Sequence, residues 1–396
     1  MKITSVICEY NPFHRGHAYQ LAEMKKRGAV VAIMSGSFTQ RGTPAVLMKY
    51  DRARAAIYGG ADLVLELPYP YSAARADIFG AAGVRIASAL GCVDELCFGS
   101  ETGELDALCT VDARLASDEF RAALDAHLAQ SRTHAHRTAI AEVYAALYGE
   151  DGVGSGSNDI LALSYLAALR EQKSKITPVA IRRVGERYDG SGEGYASATS
   201  IRGMLMRGKL DALRDAVPEE SARLLTEARH AGALASEERL YALFAMLMRT
   251  GKESTLFFAP DVPHDLAARM VRAAQTARDT ESFLSLTQSR QFSPSRVRRA
   301  ILYAGLGTTA MDISEVWYTT VLAANATGRR ILAAVRKSAA IAVITKPADA
   351  NLFGEDVRRA FSHSAAADGV WELLTDAPRD GDRMIRSHPV MIDPPR

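Results

Sequence analysis

The sequence predicts an α/β protein, with a Rossmann-like parallel-sheet domain followed by a mainly helical C-terminal domain. Two observations lead to this fold class. Short apolar runs alternate with helix-like segments through the first hundred residues, which is typical of βαβ crossovers and a parallel sheet covered on both faces. After about Gly208 strand signals become rare, and helical patterns follow one another. In parallel sheets of this kind, ligands bind outside the carboxyl ends of the strands.

The first predicted domain spans residues 1–207. Its strands are short apolar runs rich in β-branched residues, and they lie at 3–8, 30–34, 62–67, 93–98 and 176–181. Helical patterns separate them, at 17–26, 51–58, 73–90 and 158–172, with a further helix at 197–207. An alanine-rich helical stretch at about 104–150 is interpreted as an insertion, and residues 152–157 as a glycine- and serine-rich loop.

The second predicted domain, residues 208–396, is mainly helical. Its helical patterns lie at 210–229, 237–250, 266–276, 295–303 and 314–324. The apolar run at 341–344 is the exception and predicts a strand.

The composition is that of a soluble globular protein, with 48% hydrophobic and 24% charged residues among 396. The formal net charge is only +2, so overall charge implies no polyanionic partner and any basic surface must be local. We expect no membrane span and no secretory signal, because apolar runs are short and the N-terminus soon becomes polar. The four cysteines form no CxxC pair, so we expect buried thiols and a cytoplasmic protein.

The segment that follows the first strand contains His14-Arg15-Gly16-His17. Pro12 and Gly16 are expected to shape a turn that leads into a helix, whose N-terminal N–H groups attract phosphate. Gly16 lacks the Cβ that would keep a nucleotide away from the backbone. Two imidazoles separated by two residues could both donate to phosphate oxygens as charge develops on them. His14 and His17 are therefore candidate catalytic residues, although two unrelated loop histidines remain an alternative.

A second constellation, Ser197 to Arg202, also begins a predicted helix. Its hydroxyl residues could simply cap that helix. Alternatively, the N–H and hydroxyl groups of Thr199 and Ser200 could hold β- and γ-phosphates, while Arg202 supplies a charge-assisted hydrogen bond. Paired with an H-x-G-H sequence some 180 residues earlier, the phosphate interpretation is favoured, and Arg202 is a third candidate catalytic residue.

That pair of segments resembles the superfamily of adenylyl-transferring enzymes that includes class I aminoacyl-tRNA synthetases. Longer segments narrow the resemblance to the bacterial tRNA(Met) cytidine acetate ligase family. They are residues 8–17, 34–45 (MSGSFTQRGTPA), 60–68 (GADLVLELP), 98–101 (FGSE) and 158–161 (NDIL), with weaker matches at 295–299 and 344–347. The resemblance therefore covers nearly the whole chain.

The resemblance implies a two-step reaction. Acetate and ATP would form acetyl-adenylate, and N4 of the wobble cytidine of elongator tRNA(Met) would then take the acetyl group. It also implies an ATP site that includes Ile7, Cys8, Glu9, Tyr10, Asn11, Pro12, Phe13, His14, Arg15, Gly16, His17, Ala18, Tyr19, Gln20, Gly99, Asn158, Arg182, Arg183, Thr199 and Ser200. Mg²⁺ is expected to accompany ATP, held mainly by phosphates and water.

Two positions depart from the expected pattern. Arg15 stands between the histidines where this family usually has Asn, and it could add a phosphate or RNA contact or face solvent. Ala198 replaces a hydroxyl residue of the broader superfamily, which leaves fewer donors to the phosphates.

Lys49 and Arg52 follow the Gln40-Arg41-Gly42 segment. They are interpreted either as phosphate or tRNA contacts or as solvated charges of a helix.

RNA binding is predicted from local charge in the second half. Arg290, Arg296, Arg298 and Arg299 lie in a stretch without acidic residues, and so do Arg329, Arg330, Arg336 and Lys337. Residues three apart on a helix share a face, so such arginines could follow a phosphate backbone. A solvated helix face explains the same pattern.

Three functions remain open at this point. The first is the ATP- and acetate-dependent tRNA ligase that the resemblance implies. The second is a nucleotidyltransferase acting on a small phosphorylated metabolite, which would share only the first domain. The third is a non-catalytic RNA-binding protein with a degenerate nucleotide site.

Overall fold

The computed structural model describes residues 1–130, 136–149, 156–183, 195–377 and 386–393. Within these ranges the strands form one sheet, in the order β5-β4-β1-β2-β3-β6-β7, with β8 paired to β6. The strands are β1 (Ile3–Cys8), β2 (Ala29–Ser35), β3 (Leu63–Leu67), β4 (Glu95–Ser100), β5 (Thr177–Arg182), β6 (Tyr318–Ala324), β7 (Ala342–Ile344) and β8 (Val390–Met391). The predicted α/β class and its five early strands are confirmed.

Helices cover both faces of this sheet and form the rest of the second half. In the first half they are α1 (Arg15–Lys25), α2 (Lys49–Tyr58), α3 (Ala76–Ala89), α4 (Leu105–Ala116), α5 (Asp118–Gln130), α6 (His136–Tyr148), α7 (Ser157–Glu171) and α8 (Ala198–Met206). Those that follow are α9 (Leu210–Ala216), α10 (Glu219–His230), α11 (Glu237–Arg249), α12 (Ser254–Phe257), α13 (His264–Thr276), α14 (Thr280–Thr287), α15 (Pro294–Leu306), α16 (Ala326–Ser338) and α17 (Glu355–Leu373).

The predicted insertion is helical and consists of α4, α5 and α6. The predicted loop at 152–157 lies largely outside the described residues. Among the described residues, no helix is both long and apolar enough to cross a membrane.

β1 lies between β2 and β4, and all three run parallel. The strand that follows β1 in sequence, β2, pairs with one edge of β1, and β4 pairs with the opposite edge. The order of the strands reverses at β1, which places a crevice at its carboxyl end. Strands β2 and β3 are buried throughout, which explains why they are mainly apolar without regular polar alternation, with Glu66 as the charged residue of β3.

The helix predicted at 314–324 is wrong, because residues 318–324 form strand β6. β6 is buried along its whole length and pairs antiparallel with β3. A short, fully buried apolar run has no periodicity that separates a strand from a buried helix. The strand at 341–344 is confirmed as β7, so the helical half also contributes strands to the sheet.

A buried group of charges joins the two halves. The Lys49 Nζ lies 2.8 Å from Glu66 Oε1 and 2.7 Å from Asp368 Oδ2. Asp368, on α17, also accepts a hydrogen bond of 2.6 Å from the Ser37 hydroxyl. The three charged side chains are each less than 10% exposed, so every charge depends on its partners for the solvation it has lost.

We predict that Lys49→Met lowers the free energy of unfolding by about 3–5 kcal/mol, because two buried carboxylates would lose their cation. Urea denaturation measures the change. Lys337→Met is the matched control, since Lys337 is exposed on α16 and surface substitutions cost about 0.5 kcal/mol or less. Equal effects of the two substitutions would contradict a stabilising role for the buried group.

Candidate active site

The turn after β1 is built on a small aromatic cluster. Tyr10 and Phe13 are buried, with their ring centroids 4.9 Å apart, and Tyr10 lies 4.8 Å from the ring of His17. The Asn11 side chain secures the turn by accepting a 2.7 Å hydrogen bond from the Val46 N–H. These contacts give the histidines of the following helix a rigid base.

His14 and His17 stack on each other at the start of α1, with centroids 3.6 Å apart and planes 20° from parallel. His14 is the N-cap, and its Nδ1 accepts from the Gly16 N–H at 3.1 Å. The His14 N–H in turn donates to Nδ1 of His17 at 3.3 Å. Because both Nδ1 atoms accept, the proton of each neutral ring lies on Nε2. Each ring can therefore donate one hydrogen bond from Nε2.

Both imidazoles are held in the neutral form. Burial lowers the pKa of His14 to about 4, with the positive charges of Arg183 and Arg202 acting in the same direction. Burial also lowers the pKa of His17 well below its usual range, helped by His14 and Arg183. At neutral pH the pair therefore consists of two uncharged donors surrounded by arginines.

Gly16 is required by the packing of the histidine pair. A Cβ at this position would lie 3.0 Å from Cε1 and 3.2 Å from Nδ1 of His14. Any larger residue would push the His14 ring away from its stacked position. This is a different reason from the close approach of a nucleotide that the sequence suggested.

One side of the site is formed by the ends of β4 and β5. The Arg183 side chain covers Gly99, whose hypothetical Cβ would lie 3.2 Å from Arg183 Cγ. Arg182 points elsewhere and packs on Gly103. Asn158 lies inside the first turn of α7, where its N–H and side-chain amide both donate to Glu101. Glu101 was not among the predicted site residues, and it anchors the helix that carries Asn158.

The other constellation reaches the histidine turn through Arg202. Its Nη1 donates to the Asn11 carbonyl at 2.7 Å, and its Nη2 donates to the Thr199 hydroxyl at 3.1 Å. Ser197 caps α8 by accepting from the Ser200 N–H at 3.2 Å. Thr199 and Ser200 are exposed. The structure thus joins two segments that are far apart in sequence.

Arg15 turns away from this space. Its Nε donates to the Asp215 carbonyl on α9 at 2.7 Å, so the residue that departs from the family pattern ties α1 to the second half.

The remaining residues of the predicted ATP site support the turn. Ile7 is buried in the sheet, and Cys8 and Ala18 pack against the core. Glu9 accepts from the Gln40 N–H at 2.8 Å, and the ring of Tyr19 lies 6.2 Å from that of Tyr195. Pro12 is buried and Gln20 is half-buried. The contact between Glu9 and Gln40 was not predicted from the sequence, because no local pattern pairs residues 31 positions apart.

Lys49 and Arg52 require a correction. Lys49 is 4% exposed and bound to Glu66 and Asp368, so in this conformation it cannot reach an RNA backbone. Arg52 is fully buried and donates to the carbonyls of Glu9, Ser35, Gly36 and Leu47. Neither residue is a solvated helix charge, because tertiary contacts enclose the start of α2.

The basic stretch of α15 is largely neutralised by distant acidic residues. Arg296 and Arg299 both pair with Asp261, and Arg298 pairs with Glu237. Arg299 is also buried, which argues against a contact with RNA. The second stretch remains more open: Arg329 pairs with Asp393 on the surface, and Arg330 is exposed.

No group of three or more His, Cys, Asp or Glu side chains within the described ranges is arranged to hold a metal ion.

Comparison with known proteins confirms the resemblance. Residues 1–383 match the family described as HIGH Nucleotidyl Transferase. The tRNA(Met) cytidine acetate ligase of Acetivibrio thermocellus is 32% identical, over 88% of this chain and 89% of the relative. That of Caldanaerobacter subterraneus is also 32% identical, over 94% and 95%.

A solved structure extends this similarity to the fold. Thermotoga maritima TmcAL, crystallised with alpha-thio ATP, superposes with a TM-score of 0.91. The two proteins share 26% sequence identity, and the alignment covers 99% of this chain and all of the other.

We predict that His14 makes stability depend on pH. Its pKa in the folded protein, about 4, is lower than the ordinary value of about 6.5. The unfolded chain therefore binds the proton first, and stability is lost as pH falls from about 6.5 towards 4. Between pH 7 and pH 5 the loss should be about 2 kcal/mol. Urea denaturation at the two pH values measures this loss. In His14→Gln the loss between pH 7 and pH 5 should be smaller than in the unsubstituted protein by about 2 kcal/mol. Identical losses in the two proteins would refute the assignment to His14.

Proposed function

Because this chain belongs to the tRNA(Met) cytidine acetate ligase family of HIGH nucleotidyl transferases, we propose that it is an ATP-dependent ligase that acetylates tRNA. It activates acetate as acetyl-adenylate and transfers the acetyl group to N4 of the wobble cytidine of elongator tRNA(Met). The observation that carries this proposal is the pair of neutral, stacked histidines at the helix start beside Arg202. A cytoplasmic location, where tRNA is found, follows from the same proposal.

In the first step an acetate oxygen attacks the α-phosphorus of ATP. A phosphorus–oxygen bond forms, the bond to the bridging oxygen breaks, and pyrophosphate leaves. His14 and His17 donate from Nε2 to the α-phosphate oxygens, where negative charge grows. As neutral rings they stabilise this charge without losing a proton. Thr199, Ser200 and Arg202 hold the leaving pyrophosphate through hydroxyl, N–H and guanidinium donors.

The adenosine lies on the opposite side, over the ends of β4 and β5. Gly99 leaves room for the Arg183 side chain, and Arg183 and Asn158 border the space proposed for the base. The phosphates lie between the two sides, at the N-terminus of α1, where the helix dipole favours negative charge. Mg²⁺ accompanies ATP and is held by phosphates and water, and no protein ligand is assigned to it.

In the second step the N4 amine of cytidine attacks the acetyl carbonyl carbon. A carbon–nitrogen bond forms, AMP leaves with the former acetate oxygen, and N4 loses a proton. The acceptor base must therefore be out of any stack and close to the α-phosphate. The helical half, residues 208–396, is the proposed tRNA-binding domain, with Arg329 and Arg330 as surface contacts to RNA.

An omission assay tests this function. Protein with ATP, acetate, Mg²⁺ and tRNA(Met) should give N4-acetylcytidine by nucleoside mass spectrometry, and leaving out any substrate should abolish the product.

His17→Ala should reduce acetate-dependent exchange of pyrophosphate into ATP by at least about 100-fold, while tRNA binding changes little. Turnover that ignores tRNA would instead support a ligase acting on a small metabolite. Absence of any pyrophosphate release would support a non-catalytic RNA-binding protein.

A second prediction concerns Gly16. Gly16→Ala should weaken ATP binding by about tenfold or more, because the new Cβ displaces the His14 ring. Thermal stability should fall little, since Ala favours a helix more than Gly does. Gly305→Ala in α15 is the control, because a Cβ there meets nothing within 4 Å. Isothermal titration with ATP measures both, and unchanged affinity in Gly16→Ala would contradict the packing argument.

A further inference from the structure

The segment after β2 contains a tight turn whose tip is Arg41. The Gly42 N–H donates to the Thr39 carbonyl at 2.8 Å, which makes Gln40 and Arg41 the central residues of the turn. Thr39 and Thr43 also join through their backbones at 2.9 Å. Gly42 has φ of +77°, a conformation that favours glycine. The position of Arg41 is therefore set by the backbone and not by contacts of its own side chain.

This turn is fixed on both sides. On the side of the histidines, the Gln40 N–H donates to Glu9, and the Val46 N–H donates to Asn11. On the other side Gly42 lies directly on the backbone of α15, where a Cβ would come within 2.5 Å of the Arg299 nitrogen. Three residues after Gly42, the Ala45 carbonyl accepts a hydrogen bond of 2.7 Å from the Trp371 indole. The turn thus bridges the histidine site and the helical half.

Arg41 carries a charge that no described residue pairs. Its side chain is exposed, and no hydrogen bond or ion pair of it is found among the described residues. Burial raises the pKa of Glu9, while Arg41 and Arg202 act in the opposite direction. Burial lowers the pKa of Arg202, with Arg41 acting in the same direction and Glu9 and Glu237 against it. The geometry agrees, because the Gln40 N–H that donates to Glu9 belongs to the residue next to Arg41 and therefore brings the turn beside Glu9.

Arg41 and Arg183 lie on different sides of the site. Arg183 follows β5 and covers Gly99 at the end of β4. Arg41 follows β2, on the other side of β1 in the sheet order. If the adenosine occupies the β4–β5 side and the pyrophosphate lies beside Arg202, the outer part of the β2 side, next to the helical half, is left for the second substrate. Helices α11 and α15 of the helical half border that side through Glu237 and Arg298, which pair with each other.

We propose that Arg41 binds a backbone phosphate of the RNA substrate next to the base that is acetylated. The inference rests on the proposed function, because it requires an RNA nucleotide to approach the α-phosphate of bound nucleotide. At that point two polyanions come together, and a cation between them offsets their repulsion. Because the backbone of the turn is already fixed, only the Arg41 side chain has to be ordered when it binds a phosphate.

Two measurements on Arg41→Ala, together with an acetylation assay, test the proposal. In the first, tRNA(Met) binding is followed by fluorescence anisotropy between 50 and 200 mM KCl. Loss of one phosphate contact should make the negative slope of log K against log salt shallower by about 0.7–0.9. In the second, acetate-dependent exchange of pyrophosphate into ATP without tRNA should stay within about twofold of the unsubstituted enzyme. Acetylation at subsaturating tRNA should fall about tenfold or more, and Arg41→Lys should recover part of it.

The matched control is Arg121→Ala, which removes one arginine from the exposed face of α5 in the insertion and should change neither measurement. An unchanged salt slope in Arg41→Ala would overturn the proposal. So would a parallel loss of pyrophosphate exchange, which would assign Arg41 to the pyrophosphate of ATP. Absence of exchange in the unsubstituted protein would refute the proposed function instead, while the salt slope would still decide whether Arg41 contacts RNA.

Discussion

The position of β1, where the order of the strands reverses, is the constraint on which the rest of the site depends. Because β2 and β4 lie on either side of β1, the turn after Cys8 opens into a crevice and not onto a neighbouring strand. The ends of the flanking strands bring Arg183 to one side of this crevice and Arg41 to the other. Parallel register places these ends at one edge of the sheet, whatever their separation in sequence.

The electrostatic character of the crevice follows from burial combined with positive charge. His14 and His17 lie on the aromatic base of Tyr10, and burial with nearby arginines keeps both rings neutral. In the proposed reaction, charge appears on phosphate oxygens that meet donors already oriented by Nδ1 hydrogen bonds to backbone N–H groups. Arg202, which would hold the pyrophosphate in this reaction, also contributes to the lowered pKa of His14.

The two halves of the chain depend on each other close to this crevice. Lys49, Glu66 and Asp368 form a buried ionic group across them, and Arg15 reaches α9 from the first turn of α1. The turn at Gly42 lies on the backbone of α15. A ligand that moves α15 or α17 would therefore act on the segment that supports Glu9 and Asn11. This mechanical link suits an enzyme that must coordinate a nucleotide and a large RNA.

Local patterns and motif order were enough to predict the fold class, the five early strands and the pairing of His14-Arg15-Gly16-His17 with Ser197 to Arg202. Strand β6 was not predicted, since a fully buried run has no distinguishing period. The surroundings of individual charges could not be predicted, because they depend on tertiary contacts. Lys49 and Arg299 look available in the sequence, but Asp368 and Asp261, distant along the chain, bury or neutralise them. Whether a charge is free depends on partners brought together by folding, and sequence neighbours do not reveal those partners.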